Sequence, residues 1–124
     1  MNIRTATAAD SAALAALFEQ LGYPDTPDAV ARRLAACGLD DRVLVFENES
    51  GVAGVLVMHV LVPVHTAAPW GRISALVTDA RVRGQGVGAA LLREAERLLR
   101  ERGCARVELT SGDTRHDAHR FYRA

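Results

Sequence analysis

Lysine is absent from this chain: all fifteen basic residues are arginine, and fifteen acidic residues balance them to a formal net charge of zero. A neutral total gives no general attraction to nucleic acid or to an anionic membrane surface. Two cysteines, Cys37 and Cys104, are too few for a disulfide framework and lack metal-ligand spacing, so both read as buried or half-buried free thiols and no metal is expected. Long hydrophobic runs are also missing. The longest, Val52–Val64, is interrupted by Gly54 and His59 and is too short to span a bilayer. The opening MNIRTATAAD has no hydrophobic signal region, which together with that short run predicts a cytoplasmic protein without membrane partners. The remaining composition, 49% hydrophobic and 24% charged, is that of an ordinary globular chain, and 124 residues predict a single domain.

Periodicity and punctuation predict a mixed α/β sheet with helices on its faces. Ile3–Thr5 reads as a short strand. Thr7-Ala8-Ala9-Asp10 resembles a capping box before the stripe Leu14, Leu17, Phe18 and Leu21, which stops at Gly22. Thr26-Pro27-Asp28 opens a second helix that ends at Gly38. Arg42–Asn48 and Val52–Val62 form a hairpin about Glu49-Ser50-Gly51, and Val64–Gly71 is a loop. Arg72–Thr78 is a further strand. A long amphipathic helix runs from Gly86 to Arg102, with Val87, Leu91, Leu92, Ala95, Leu98 and Leu99 on one face. Arg106–Ser111 reads as a strand, and Asp117–Tyr122 as the start of a last helix.

The informative segment joins a strand to a helix through three glycines, Gly84, Gly86 and Gly88. Such a turn lets backbone approach a ligand, and the amides at the helix start face an anion. The loop fails the Walker A pattern, because Ala89-Ala90 follow where Lys-Ser/Thr is needed. It also fails the dinucleotide fingerprint, since its spacing is G-x-G-x-G and the next strand ends in Thr110 and Ser111 rather than an acid. Arg-x-x-Gly-x-Gly is met by Arg83, Gly86 and Gly88.

That segment, with the strand before it and the helix after it, resembles the coenzyme signature of the GNAT family of N-acetyltransferases. Ala118-His119-Arg120-Phe121-Tyr122-Arg123-Ala124 resembles the family's next motif. The resemblance covers nearly the whole chain and implies a mixed-sheet acyl-CoA N-acyltransferase fold, with two further strands beyond Ala124 that this sequence does not supply. It implies acetyl-CoA as cosubstrate and a primary amine of a small molecule or amino-acid-like acceptor as its partner, in a homodimer. The alternative is a non-catalytic acyl-CoA-binding module.

By the same resemblance, Leu76, Val77 and Thr78 flank the acetyl-pantetheine arm, with backbone groups of Leu76 and Thr78 bonding it and the Leu76 amide polarising the thioester. Backbone amides of Gly84, Gln85, Gly86, Val87, Gly88 and Ala89 hold the diphosphate beside Arg83. Tyr122 protonates the departing thiolate, a role that suits a phenol. No general base is assigned. Relatives commonly carry a glutamate where this chain has Ser74, and the next strand offers Thr110 with Glu108 on its face. A water relay, Glu19, Glu47, His59 and His65 remain candidates. Acceptor contacts are expected from Phe18–Asp25, including Tyr23, from His65–Trp70, and from Ser111–His116. Arg115 and Arg120 are expected to be solvated.

Overall fold

In the computed structural model, which describes residues 2–110 and 117–121, six strands form one sheet in the order β1-β2-β3-β4-β5-β6. These are β1 (Asn2–Thr5), β2 (Asp41–Asn48), β3 (Gly51–Leu61), β4 (Trp70–Thr78), β5 (Arg106–Thr110) and β6 (Asp117–Phe121). Every neighbouring pair is antiparallel except β4 and β5, which run parallel and are joined by helix α3 (Val87–Glu101). Helices α1 (Ser11–Leu21) and α2 (Pro27–Ala35) lie between β1 and β2 in the chain.

Alternation along the strands divides the core in two. On one face Leu44, Leu56, Met58, Ile73 and Val107 pack against Val87, Leu91, Ala95 and Leu99 of α3. On the other, Val43, Val45, Val55 and Val77 pack against Leu14 and Leu17 of α1 and Val30 of α2. The α3 face depends on two glycines. A Cβ on Gly54 would stand 2.9 Å from Val87 Cγ1, and one on Gly71 would stand 2.6 Å from Leu99 Cδ1. Both strands present bare backbone where the helix presents branched side chains, so α3 lies close against β3 and β4 at both of its ends.

Local signals place the other helices. Thr26 caps α2, its hydroxyl accepting the Ala29 amide at 3.1 Å, and Gly22 ends α1 in a left-handed conformation with φ of 107°. Ahead of α1 the chain makes a 3₁₀ turn over Ala8–Asp10. There Asp10 accepts the Thr7 amide at 2.7 Å and binds Arg4 through two guanidinium nitrogens, each at 2.9 Å. Glu47 closes the cluster from β2, taking Arg4 Nε at 3.1 Å.

Two expectations are corrected. Asp117–Phe121 is a strand antiparallel to β5, not the start of a helix. A five-residue segment is too short to offset helix nucleation, whereas the open side of β5 offers a ready row of partners. Cys37 is exposed: it follows the last turn of α2, where its thiol reaches the Arg33 carbonyl at 3.5 Å, while Cys104 is buried as expected.

Gly54→Val should cost about 1–3 kcal/mol through overpacking against Val87 and Leu91, read from urea unfolding. The Arg4 guanidinium holds the Asp10 carboxyl below its usual range, so its contribution is present above the ordinary carboxylate pKa and lost on acidification. Asp10→Asn should cost about 2 kcal/mol at neutral pH. The gap from wild type should narrow as pH falls below about 4.

Candidate active site

Strand β4 changes partners halfway along. Its pairing with β5 runs from Trp70↔Arg106 to Ile73↔Leu109 and stops there. Its pairing with β3 continues to Gly54↔Thr78, but with a one-residue shift between Val57↔Ala75 and Met58↔Ile73, so that Ser74 is the extra residue of a β-bulge. The bulge resets the faces of the strand. Ile73 and Leu76, three residues apart, both pack on the α3 side, while Val77 packs on the other. Among the described residues, β4 beyond the bulge is paired only on the β3 side. The Asp79 amide donates to the Ala53 carbonyl of β3 at 2.8 Å. By strand alternation, the N–H and C=O groups of Leu76 and Thr78 therefore point away from β3, toward the side on which no strand is paired with them among the described residues.

At the end of this free edge the chain turns sharply into α3. Asp79 caps a 3₁₀ turn over Ala80–Val82, accepting the Arg81 amide at 2.9 Å and the Arg81 guanidinium at 3.0 and 3.1 Å. That arginine holds the Asp79 carboxyl below the usual carboxylate range. From α1, Gln20 Oε1 accepts the Ala80 amide at 3.3 Å and ties the turn to the helix. Gly84 and Gly86 then take φ of 84° and 82°, a left-handed backbone that side-chain-bearing residues rarely adopt. Space beside them is open, with nothing within 4 Å of where a Cβ would stand. The Gln85 amide is committed within the turn, to the Val82 carbonyl at 3.2 Å. The first intrahelical bond of α3 runs from the Ala90 amide to the Gly86 carbonyl at 3.0 Å. Val87, Gly88 and Ala89 thus open the helix with amides that no earlier turn can satisfy. Arg83 is exposed at the rim and has no ion pair among the described residues. Exposed amides, a helix dipole and one arginine make a cradle fitted to a diphosphate.

Ser74 faces a side-chain chain on the α1/α2 side of the sheet. His59 Nε2 lies 2.7 Å from Ser74 Oγ, and His59 Nδ1 lies 2.8 Å from Asp41 Oδ1. The other candidate bases lie apart from this group. Glu47 is bound by Arg4, and His65 meets Trp70 edge-on with ring centroids 6.0 Å apart. Glu19 is an exposed residue of α1. Glu108 accepts Arg72 at 2.6 Å, and Arg106 stacks over Trp70 at 3.3 Å from the ring centroid. Next to His59, Phe18, Val30, Leu34 and Val57 line a cavity of about 270 Å³ between the helices and the sheet. Tyr23 is exposed beyond it.

Tyr122, Ser111–His116 (Arg115 among them) and Arg123 lie outside the described residues. Asp41 is the residue that sequence reasoning missed. The β2–β3 hairpin signal was available, but turn counting alone does not bring Asp41 opposite His59, because the pairing shifts by one residue between Phe46 and Glu47.

A family model described as the acetyltransferase (GNAT) family matches residues 12–124. An aminoalkylphosphonate N-acetyltransferase of Salmonella typhimurium is 33% identical over 125 residues, covering 97% of this chain and 80% of that protein. Among solved structures, a GNAT family acetyltransferase of Staphylococcus aureus superimposes with a TM-score of 0.81 at 24% identity, over 99% of this chain and 97% of the other. A protein of Bacillus halodurans described as a transcriptional regulator gives 0.79 at 22% identity, over 92% of this chain and 83% of the other. At those identities the two structures speak for the fold alone; the sequence matches carry the rest, and the chain belongs to the GNAT family as an acetyl-CoA-dependent acetyltransferase.

Proposed function

We propose that this enzyme moves the acetyl group of acetyl-CoA directly to the primary amine of a small acceptor. The observation that carries the reading is the β4 edge from the Ser74 bulge to Thr78, which has no strand partner on the side away from β3 among the described residues and leads straight into the glycine turn. An extended pantetheine arm can add to that edge as a strand would, bonding the outward backbone groups of Leu76 and Thr78 with Val77 anchored in the core between them. The diphosphate then falls on Gly84, Gly86 and the opening amides of α3, Val87, Gly88 and Ala89, with Arg83 beside it and Gln85 spanning the turn. The Leu76 amide is the donor that polarises the thioester carbonyl, where negative charge develops on attack.

Tyr122 serves as the acid that protonates the departing thiolate, a reading that rests on its motif. For the acceptor, the aminoalkylphosphonate relative makes aminoalkylphosphonates the first amines to try, ahead of amino acids and simple alkylamines. The arginines around the site lend no separate support for a phosphonate. Arg33, Arg72 and Arg81 are each paired with a carboxylate, at 2.5, 2.6 and 3.0 Å.

The reading is tested by thiol release from acetyl-CoA across such an amine panel, and product that depends on both substrates is expected. Gly86→Trp should weaken acetyl-CoA binding by more than about tenfold in calorimetry, equivalent to ~1.4 kcal/mol, with an unchanged circular dichroism spectrum. Wild-type affinity in that variant would sink the diphosphate assignment. Tyr122→Phe should lower kcat by about 10²-fold or more at similar coenzyme affinity, and an unchanged kcat would reduce the phenol to packing.

A further inference from the structure

Direct transfer requires the acceptor amine to lose a proton, and the reading above assigns no base to take it. We propose that Ser74, His59 and Asp41 form the proton relay that deprotonates the acceptor amine, with Ser74 touching the amine, His59 holding the proton and Asp41 positioning the imidazole. The proposal rests on the direct-transfer reading and supplies the base which that reading leaves open.

Position comes first. Ser74 follows Ile73, the last β4 residue paired with β5 among the described residues. Two residues on is Leu76, whose outward amide marks the thioester. Alternation from Ile73 turns the Ser74 side chain to the α1/α2 face, and the bulge returns Leu76 to the core that receives Ile73. On that face His59 borders the apolar cavity under Phe18 and Leu34, and the exposed Ser74 hydroxyl bonded to it is open to an incoming acceptor.

Hydrogen-bond roles follow from chemistry. The Asp41 carboxylate can only accept, so the 2.8 Å contact requires a proton on His59 Nδ1. With neutral imidazole, Nε2 is then an acceptor, and the 2.7 Å contact has the Ser74 hydroxyl donating to it. The serine oxygen keeps its lone pairs for an incoming N–H. His59 is 28% exposed and Asp41 43%, open enough for the proton to pass on to water. The charged and titratable groups around the imidazole are Asp41 on β2, Arg72 opposite it on β4, and Arg33 and Cys37 of the α2 region across the cavity. Arg72 is neutralised by Glu108 and Arg33 by Asp25, which leaves Asp41 as the partner that can stabilise an imidazolium.

The proton balance closes without another reactant. An acceptor ammonium gives one proton to Ser74 Oγ as the serine proton passes to His59 Nε2, and the imidazolium releases it to solvent. The freed amine forms the C–N bond to the thioester carbon and the C–S bond breaks. A second amine proton passes to the thiolate through the site's acid, and the third remains on the amide product.

The test is the pH dependence of aminomethylphosphonate acetylation by wild type, His59→Gln, Ser74→Ala and Asp41→Asn, with acetyl-CoA affinity measured by calorimetry. His59→Gln should lower kcat by about 10²–10⁴-fold and remove one acidic limb of the profile, leaving the limb that belongs to the amine itself. Ser74→Ala should remove the same limb, and Asp41→Asn should lower kcat less; coenzyme affinity should hold throughout. Adding Ser74→Glu to His59→Gln should restore turnover, because a carboxylate at the bulge makes the histidine dispensable. Wild-type kcat and profile in His59→Gln would overturn the relay alone. An acetyl group found on Ser74 after incubation with acetyl-CoA would also overturn it, in favour of a covalent route. Wild-type enzyme that binds acetyl-CoA but acetylates no amine would overturn the proposed function, and the relay with it.

Discussion

The seating of α3 against the sheet is the constraint from which the rest of the site descends. Two side chains of the helix, Val87 and Leu99, occupy the space that side chains on Gly54 and Gly71 would claim. Van der Waals exclusion is steep at these separations, so the helix has little freedom to lift or slide. Val87 is also the first residue of α3. The glycine that admits Val87 to the core therefore fixes where the helix dipole begins and where the unsatisfied amides point. The start of α3 is thus referenced to β3 through Gly54, and the outward backbone groups of Leu76 and Thr78 belong to β4, the strand paired with it.

The second constraint is the way two single-residue irregularities act together. On β3, Ala53 is the extra residue between Phe46↔Gly54 and Glu47↔Val52; on β4 it is Ser74. Each bulge shifts pairing by one place, and with a side-chain period of two, one place exchanges faces. The first brings Asp41 opposite His59. The second returns Leu76 to the core although Ser74, next after Ile73, faces His59. Residues separated by 18 and 15 positions in the chain thereby meet within hydrogen-bonding distance, and the parallel seam with β5 ends at the same point.

This explains what could be read in the sequence and what could not. Local chemistry was legible: Thr26 before Pro27, Gly22 after Leu21, the hairpin about Glu49-Ser50, and the glycine turn between a strand and an amphipathic helix each declare themselves within a few residues. The free edge at Leu76 and Thr78 followed only from resemblance, and its physical cause, the bulge at Ser74, has no signature in composition. The candidate base was harder still. His59 could be singled out for its chemistry, but its partners depend on register, and turn counting is off by one across Ala53. Asp117–Phe121 failed for another reason: the strand is held by an edge that exists only once β5 is in place. Gly54 and Gly71 read as interruptions of apolar segments, whereas they are the seats of a helix 30 or so residues away in the chain.

Among the described residues, the ion pairs that fasten this fold have an arginine as their cation in every case but that of His59, as in Arg4 with Asp10 and Glu47, Arg72 with Glu108, Arg97 with Glu94 and Glu101, and Arg102 with Asp40. With no lysine anywhere in the sequence, the enzyme carries no side-chain primary amine. A guanidinium stays protonated and is a poor nucleophile, so a thioester in solution does not consume these bridges. The enzyme's charge pattern is therefore chemically orthogonal to its own cosubstrate, and rising acetyl donor concentration leaves its electrostatic scaffold unaltered.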